Sequence, residues 1–95
     1  PPAGGPLRRV VRIVNPLGLH FRVADRFSKL ARQYECAVTV ANGDARADGT
    51  SLTELIMLIV LPDSEVVLEV TGPDAPRAVD PLADVLAAPG DDYAL

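Results

Sequence analysis

"RRVVRIVNPLGLHFRVADRFSKLARQYE", Arg8 to Glu35, changes its hydrophobic period partway along. Arg8 to Val14 is β-branched and predicts a strand. Val11 and Ile13 share one of its faces, and Val10, Arg12 and Val14 share the other. "NPLGL" is a turn signal. From Phe21 to Glu35 the pattern turns helical, with Val23, Phe27, Leu30, Ala31 and Tyr34 on one stripe. Arg22, Asp25, Arg26, Lys29 and Arg32 lie largely off that stripe, and Asp25 and Lys29 form a favourable i, i+4 pair. A strand, a Pro/Gly turn and an amphipathic helix therefore open the domain.

The same reading continues outward. "CAVTVA", Cys36 to Ala41, predicts a second strand, and Asn42-Gly43 is a strong hairpin signal. A short third strand, Asp44 to Ala47, returns from it, and Asp48-Gly49 turns the chain again. Ser51 and Glu54 form a capping box, which argues for a helix from Leu52 that Pro62 ends. Its run "LIMLIVL" suits a buried strand equally well by pattern alone. "EVVLEV", Glu65 to Val70, is a fourth strand. A last helix follows, with Asp74 as cap and Pro76 in its first turn. Pro81 either kinks that helix or restarts it, with Asp80 as cap. Phe27, Tyr34, Met57 and the "LIVL" segment are expected in the core.

The order β-α-β-β-α-β-α predicts an α+β open-faced sandwich: a four-stranded antiparallel sheet with three helices on one face. Residues 1–7 are expected to be a loose extension, 8–88 the domain and 89–95 a frayed tail.

Composition narrows the function. The chain has 95 residues, 48% of them hydrophobic, and a formal net charge of −4. That charge disfavours general nucleic-acid binding and adhesion to anionic lipid. The longest apolar run is too short to span a bilayer, so no membrane insertion is expected. "PPAGGPLRR" does not read as a secretory signal. The single cysteine, Cys36, suits a reducing compartment, and a cytoplasmic location is expected. With one histidine and one cysteine, no protein-built metal site is expected.

The histidine, His20, stands where the first helix begins. The first N–H groups of a helix lack internal partners and carry partial positive charge, which favours anions. Arg22 adds a planar fork of donors suited to phosphate oxygens. Gly18 can take a left-handed conformation and bring the backbone close. Backbone at Gly18, Phe21 and Arg22 is therefore a candidate phosphate cradle, and an imidazole nitrogen held there can accept and surrender a phosphoryl group. The same residues also suit a plain helix cap facing water.

"NPLGLHFRVADRFSKLA", followed by "DGTSLTELIMLIVL" and "VVLEVTGPDA", resembles HPr, the histidine-containing phosphocarrier family of the bacterial sugar phosphotransferase system. The resemblance covers roughly residues 8–88. Asn15, Gly18, Leu19, His20, Arg22 and Ala24 match the family motif N-x-x-G-L-H-A-R-P-A. The resemblance implies that His20 accepts phosphate on Nδ1 from phosphorylated Enzyme I and passes it to a sugar-specific IIA component, with Arg22 steadying it. It implies a stoichiometric carrier that needs no cofactor. Phe21 stands where the family has a small residue, and Val23 replaces a proline. Asp25 and Glu54 add carboxylates near the surface that the family uses to dock Enzyme I.

By the same resemblance, Ser51 aligns with a serine that a dedicated kinase phosphorylates in many members, although it already serves as a helix cap. Phe21, Lys29, Leu52 and Ile56 are the implied partner contacts, and Leu52 and Ile56 also suit the core. Two other functions stay open. One is a regulatory module whose phosphorylation at His20 or Ser51 controls a partner. The other is a small phosphatase-like enzyme using Arg22.

Overall fold

The computed structural model describes residues 6–89. Its elements are β1 (Leu7–Arg12), α1 (Phe21–Ala31), β2 (Ala37–Asn42), β3 (Ala45–Asp48), α2 (Leu52–Met57), β4 (Glu65–Thr71) and α3 (Ala75–Ala87). The strands form one antiparallel sheet in the order β1-β4-β2-β3. This is the open-faced α+β sandwich that the element order predicts.

Period-2 alternation decides which face is covered. Along β4, Val66, Leu68 and Val70 are buried while Glu65 and Thr71 are exposed. Val66 pairs with Val11, Leu68 with Val40 and Val70 with Val38, so one face of three strands is a continuous apolar surface. Onto it pack Val23, Ala24, Phe27 and Ala31 of α1, Leu55 of α2, and Ala78, Val79, Leu82 and Leu86 of α3. Phe27 is fully buried, and its truncation to Ala is worth about 3–5 kcal/mol.

Several boundaries differ from the sequence reading, each for a local reason. β1 begins at Leu7, inside the stretch expected to be loose. It ends as a regular strand at Arg12, although Ile13 continues the pairing through bonds with Ser64 and Asp63 (2.8 and 2.7 Å). The expected tail lies mostly outside the described residues. α1 stops at Ala31 because its last turn tightens: Gln33 and Tyr34 donate to the carbonyls three residues back. The Glu35 N–H leaves the helix for Asp74 Oδ2 at 2.7 Å. Asp74 therefore makes no side-chain cap on α3; its carboxylate ties the end of α1 to the start of α3. α3 runs through Pro81 without a restart.

The largest departure lies after α2. That helix ends at Met57, well before Pro62, because Ile59 adopts a left-handed conformation (φ 51°). A β-branched residue there costs about 1–3 kcal/mol. Around it "LIVL" alternates: Leu58 and Val60 are buried, Ile59 and Leu61 exposed. Met57, expected in the core, is 72% exposed.

Candidate functional site

The site is assembled by a turn that braces itself. Asn15 is buried, and its Oδ1 accepts the Leu17 N–H at 2.9 Å, an Asx turn. The Asn15 carbonyl accepts the Gly18 N–H at 2.9 Å. Gly18 is left-handed (φ 69°), and a Cβ there would collide with the Val60 carbonyl oxygen. That carbonyl also accepts the Leu19 N–H at 3.1 Å, anchoring the turn to the segment after α2. The left-handed Ile59 thus has a consequence at the site, since it redirects the chain that supports this turn.

His20 follows as the N-cap of α1, in an extended conformation (φ −95°, ψ 179°). Its carbonyl accepts the first helical bond, from Ala24 at 2.9 Å. Its Nδ1 accepts the Arg22 N–H at 3.3 Å, and its Nε2 faces Asn15 Nδ2 at 3.2 Å. The imidazole is part-buried and held at both nitrogens. No acidic residue stands in the first turn of α1. Arg22, Arg26 and Lys29 follow at helical spacing and are exposed. Lys29 pairs with Asp25 at 3.0 Å.

An apolar rim adjoins the histidine. Phe21, the first residue of α1, is 58% exposed, and Leu17, Ile59 and Leu61 are exposed on the two segments that meet at Gly18. Ile56 and Met57 are exposed on α2, which packs against α1. A separate groove of about 490 Å³ is lined by Cys36, Thr39, Arg46, Asp48, Thr50 and Glu54, and His20 is not among its walls.

His20, Phe21 and Arg22 stand together at the start of α1. Gly18 plays a different part from the one proposed for it. Its N–H is already donated to Asn15, so it shapes the turn and offers no donor to an anion. Leu52 is partly buried against the core, while Ile56 is the more exposed of the two α2 candidates. Ser51 caps α2, its Oγ accepting the Glu54 N–H at 3.2 Å. The capping box is only half formed, because Glu54 Oε1 turns to the Asp48 N–H (2.9 Å). Asp48 Oδ1 in turn accepts the Thr50 N–H and hydroxyl (2.9 and 2.7 Å), and these bonds hold its carboxyl below the usual range.

Two features escaped the sequence reading. Asn15 was visible as a motif residue, but its contact with the imidazole depends on the Gly18 turn. The exposed Met57, Ile59 and Leu61 were hidden inside an apolar run that gives no periodic sign of which residues face out.

Fold and site together define a small α+β domain whose first helix is capped by a histidine. The chain matches the PTS-HPr family, described as "PTS HPr component phosphorylation site", over residues 7–88. It is 34% identical over 80 residues to the phosphocarrier protein HPr of Neisseria meningitidis serogroup A, covering 84% of this chain and 90% of that one. It is 33% identical over 86 residues to the phosphocarrier protein NPr of Shewanella violacea, covering 90% and 94%. The crystal structure of HPr from Bacillus anthracis str. Ames has the same fold, with a TM-score of 0.81 at 20% identity, covering 86% of this chain and 98% of that one. The chain belongs to the HPr/NPr phosphocarrier family of the phosphotransferase system. Among the described residues, no helix is long and apolar enough to cross a membrane.

Proposed function

We propose that this chain accepts a phosphoryl group on Nδ1 of His20 from phosphorylated Enzyme I and delivers it to a IIA component in sugar uptake, in the cytoplasm. The observation that carries the reading is the Arg22 N–H directed at Nδ1 from a helix whose first turn carries no acid of its own. In transfer, the Nδ1 lone pair attacks phosphorus and the donor's bond to phosphorus breaks, its electron pair leaving on the donor. The phosphoryl oxygens then meet the Phe21 and Arg22 N–H groups and the Arg22 guanidinium. Such donors act by balancing charge as it moves, and no turnover chemistry is asked of the chain.

Partner recognition in this reading falls to the exposed apolar rim together with the cations of α1. Phe21 dominates the rim beside the histidine, so a partner must accommodate an aromatic ring at the point of transfer. That feature also favours a second reading, in which phosphorylated His20 signals to a dedicated partner. A relay and a signal separate in one experiment. The chain is incubated with phosphoenolpyruvate, catalytic Enzyme I and a IIA acceptor, and phosphate is followed to the acceptor. Transfer through wild type but not through His20→Ala supports the relay. A stable adduct on His20 that no IIA acceptor removes supports the signal.

A further inference from the structure

Asn15 is 3% exposed, and its amide is fixed from one side. Because Oδ1 accepts the Leu17 N–H, the Nδ2 amine is the group that faces His20 Nε2. Across the ring, the Arg22 N–H points at Nδ1. Two donors thus face the two ring nitrogens. A neutral imidazole has one N–H and one acceptor, so in either tautomer a ring N–H meets a donor, and an imidazolium meets two. One form of the ring satisfies both: phosphorylated on Nδ1, with Nε2 unprotonated. A phosphoryl oxygen then accepts the Arg22 N–H, and Nε2 accepts from Asn15.

Resting on the phosphocarrier reading, we infer that Asn15 is a positioning residue for the loaded state, whose amine holds Nε2 of phosphorylated His20 without its proton. On loading, attack by Nδ1 leaves the ring cationic with Nε2–H, and that proton passes to solvent. On unloading, solvent returns a proton to Nε2, which makes the ring a better leaving group. The N–P bond then breaks and its electron pair returns to Nδ1. By opposing the returning proton, Asn15 slows loss of the phosphoryl group to water. Among the described residues, the charged groups of α1 toward this end are Arg22, Asp25, Arg26 and Lys29, with Asp25 paired to Lys29. The segment 58–62 packed against the turn carries none, and Glu54 of α2 is turned to Asp48.

The test loads the chain with phosphoramidate, so no partner protein is needed. Wild type is compared with Asn15→Asp and Asn15→Ala by ³¹P and imidazole ¹⁵N NMR against pH, and by hydrolysis rate at pH 7. Asn15→Asp keeps an oxygen for the Leu17 N–H and offers Nε2 an acceptor in place of a donor. Its phosphorylated ring should take up its proton about one pH unit higher than wild type, with Asn15→Ala in between. Hydrolysis should quicken about ten-fold in Asn15→Asp and about five-fold in Asn15→Ala. Amide spectra verify the folds; if Asn15→Ala fails to fold, Asn15→Asp decides. Unchanged midpoints and rates in a folded Asn15→Asp would overturn the role of Asn15 and leave the carrier reading standing. Failure of wild-type His20 to take phosphate at all would overturn both.

Discussion

The first two helices begin in opposite ways. At α1 the cap is an imidazole holding one N–H at a long 3.3 Å, no acid stands in the first turn, and Arg22 adds a cation. Before α2 the protein's own acids tie down the loop that leads into the helix. Glu54 and Asp48 take the Asp48 and Thr50 N–H groups, Ser51 takes that of Glu54, and Arg32 closes the loop on the Thr50 carbonyl at 3.0 Å. Both starts offer N–H groups to anions. In the phosphocarrier reading, only the first receives an anion from outside. In that reading one fold carries a His and a Ser at helix starts and uses only the His for transfer.

Short of removing the histidine, the largest effect should come from Arg22→Ala. Loss of its charge-assisted bonds to phosphate should slow loading of His20 about ten- to hundred-fold, read by intact mass over time. Fold stability should hardly change, since the side chain is exposed. A rate within two-fold of wild type would remove the guanidinium from the first helix start.

Ser51 sharpens the other side. Ser51→Ala should cost about 1 kcal/mol in urea melts, the usual worth of a cap, and leave His20 loading unchanged. Ser51→Asp, a stand-in for phosphate, should destabilise further, because Asp48 and Glu54 face the same space. A Ser51→Asp chain more stable than Ser51→Ala would show that this start still welcomes an anion.

A third helix start gives the smallest effect. The Glu35 N–H and then Arg77 hold the Asp74 carboxyl below the usual range. The stabilisation it provides is therefore present above roughly pH 3.9, the unfolded carboxylate value, and fades as pH falls through the lower folded value. Asp74→Asn should lower Tm modestly at pH 7, with the gap from wild type closing near pH 2. A gap that persists in acid would mean that the Asp74 charge is not what joins α1 to α3.

Much of this was legible in the sequence because it is written in periodicity. The switch from β-branched residues to a helical stripe after Asn15, the Asn42-Gly43 hairpin and the alternation of Glu65–Val70 define the sheet and its covered face. His20 and Arg22 were legible through their place at a helix start. What was not legible depends on contacts across the chain. Gly18 spends its N–H on Asn15, Asn15 reaches the ring only once the turn closes, and Asp74 serves α1 instead of capping its own helix. The exposed Met57 and Ile59 follow from a left-handed residue inside an apolar run, a conformation the pattern does not announce.

The most direct test of the central claim follows both helix starts during loading. Uniformly ¹⁵N-labelled chain is incubated with phosphoenolpyruvate and catalytic Enzyme I, with His20→Ala alongside, and read by ³¹P and amide NMR. The account predicts one acid-labile phosphoryl group that requires His20, with large shifts at the Phe21 and Arg22 amides and little change from Ser51 to Glu54. An adduct that survives in His20→Ala, or one whose amide shifts fall at Ser51 instead, would contradict it.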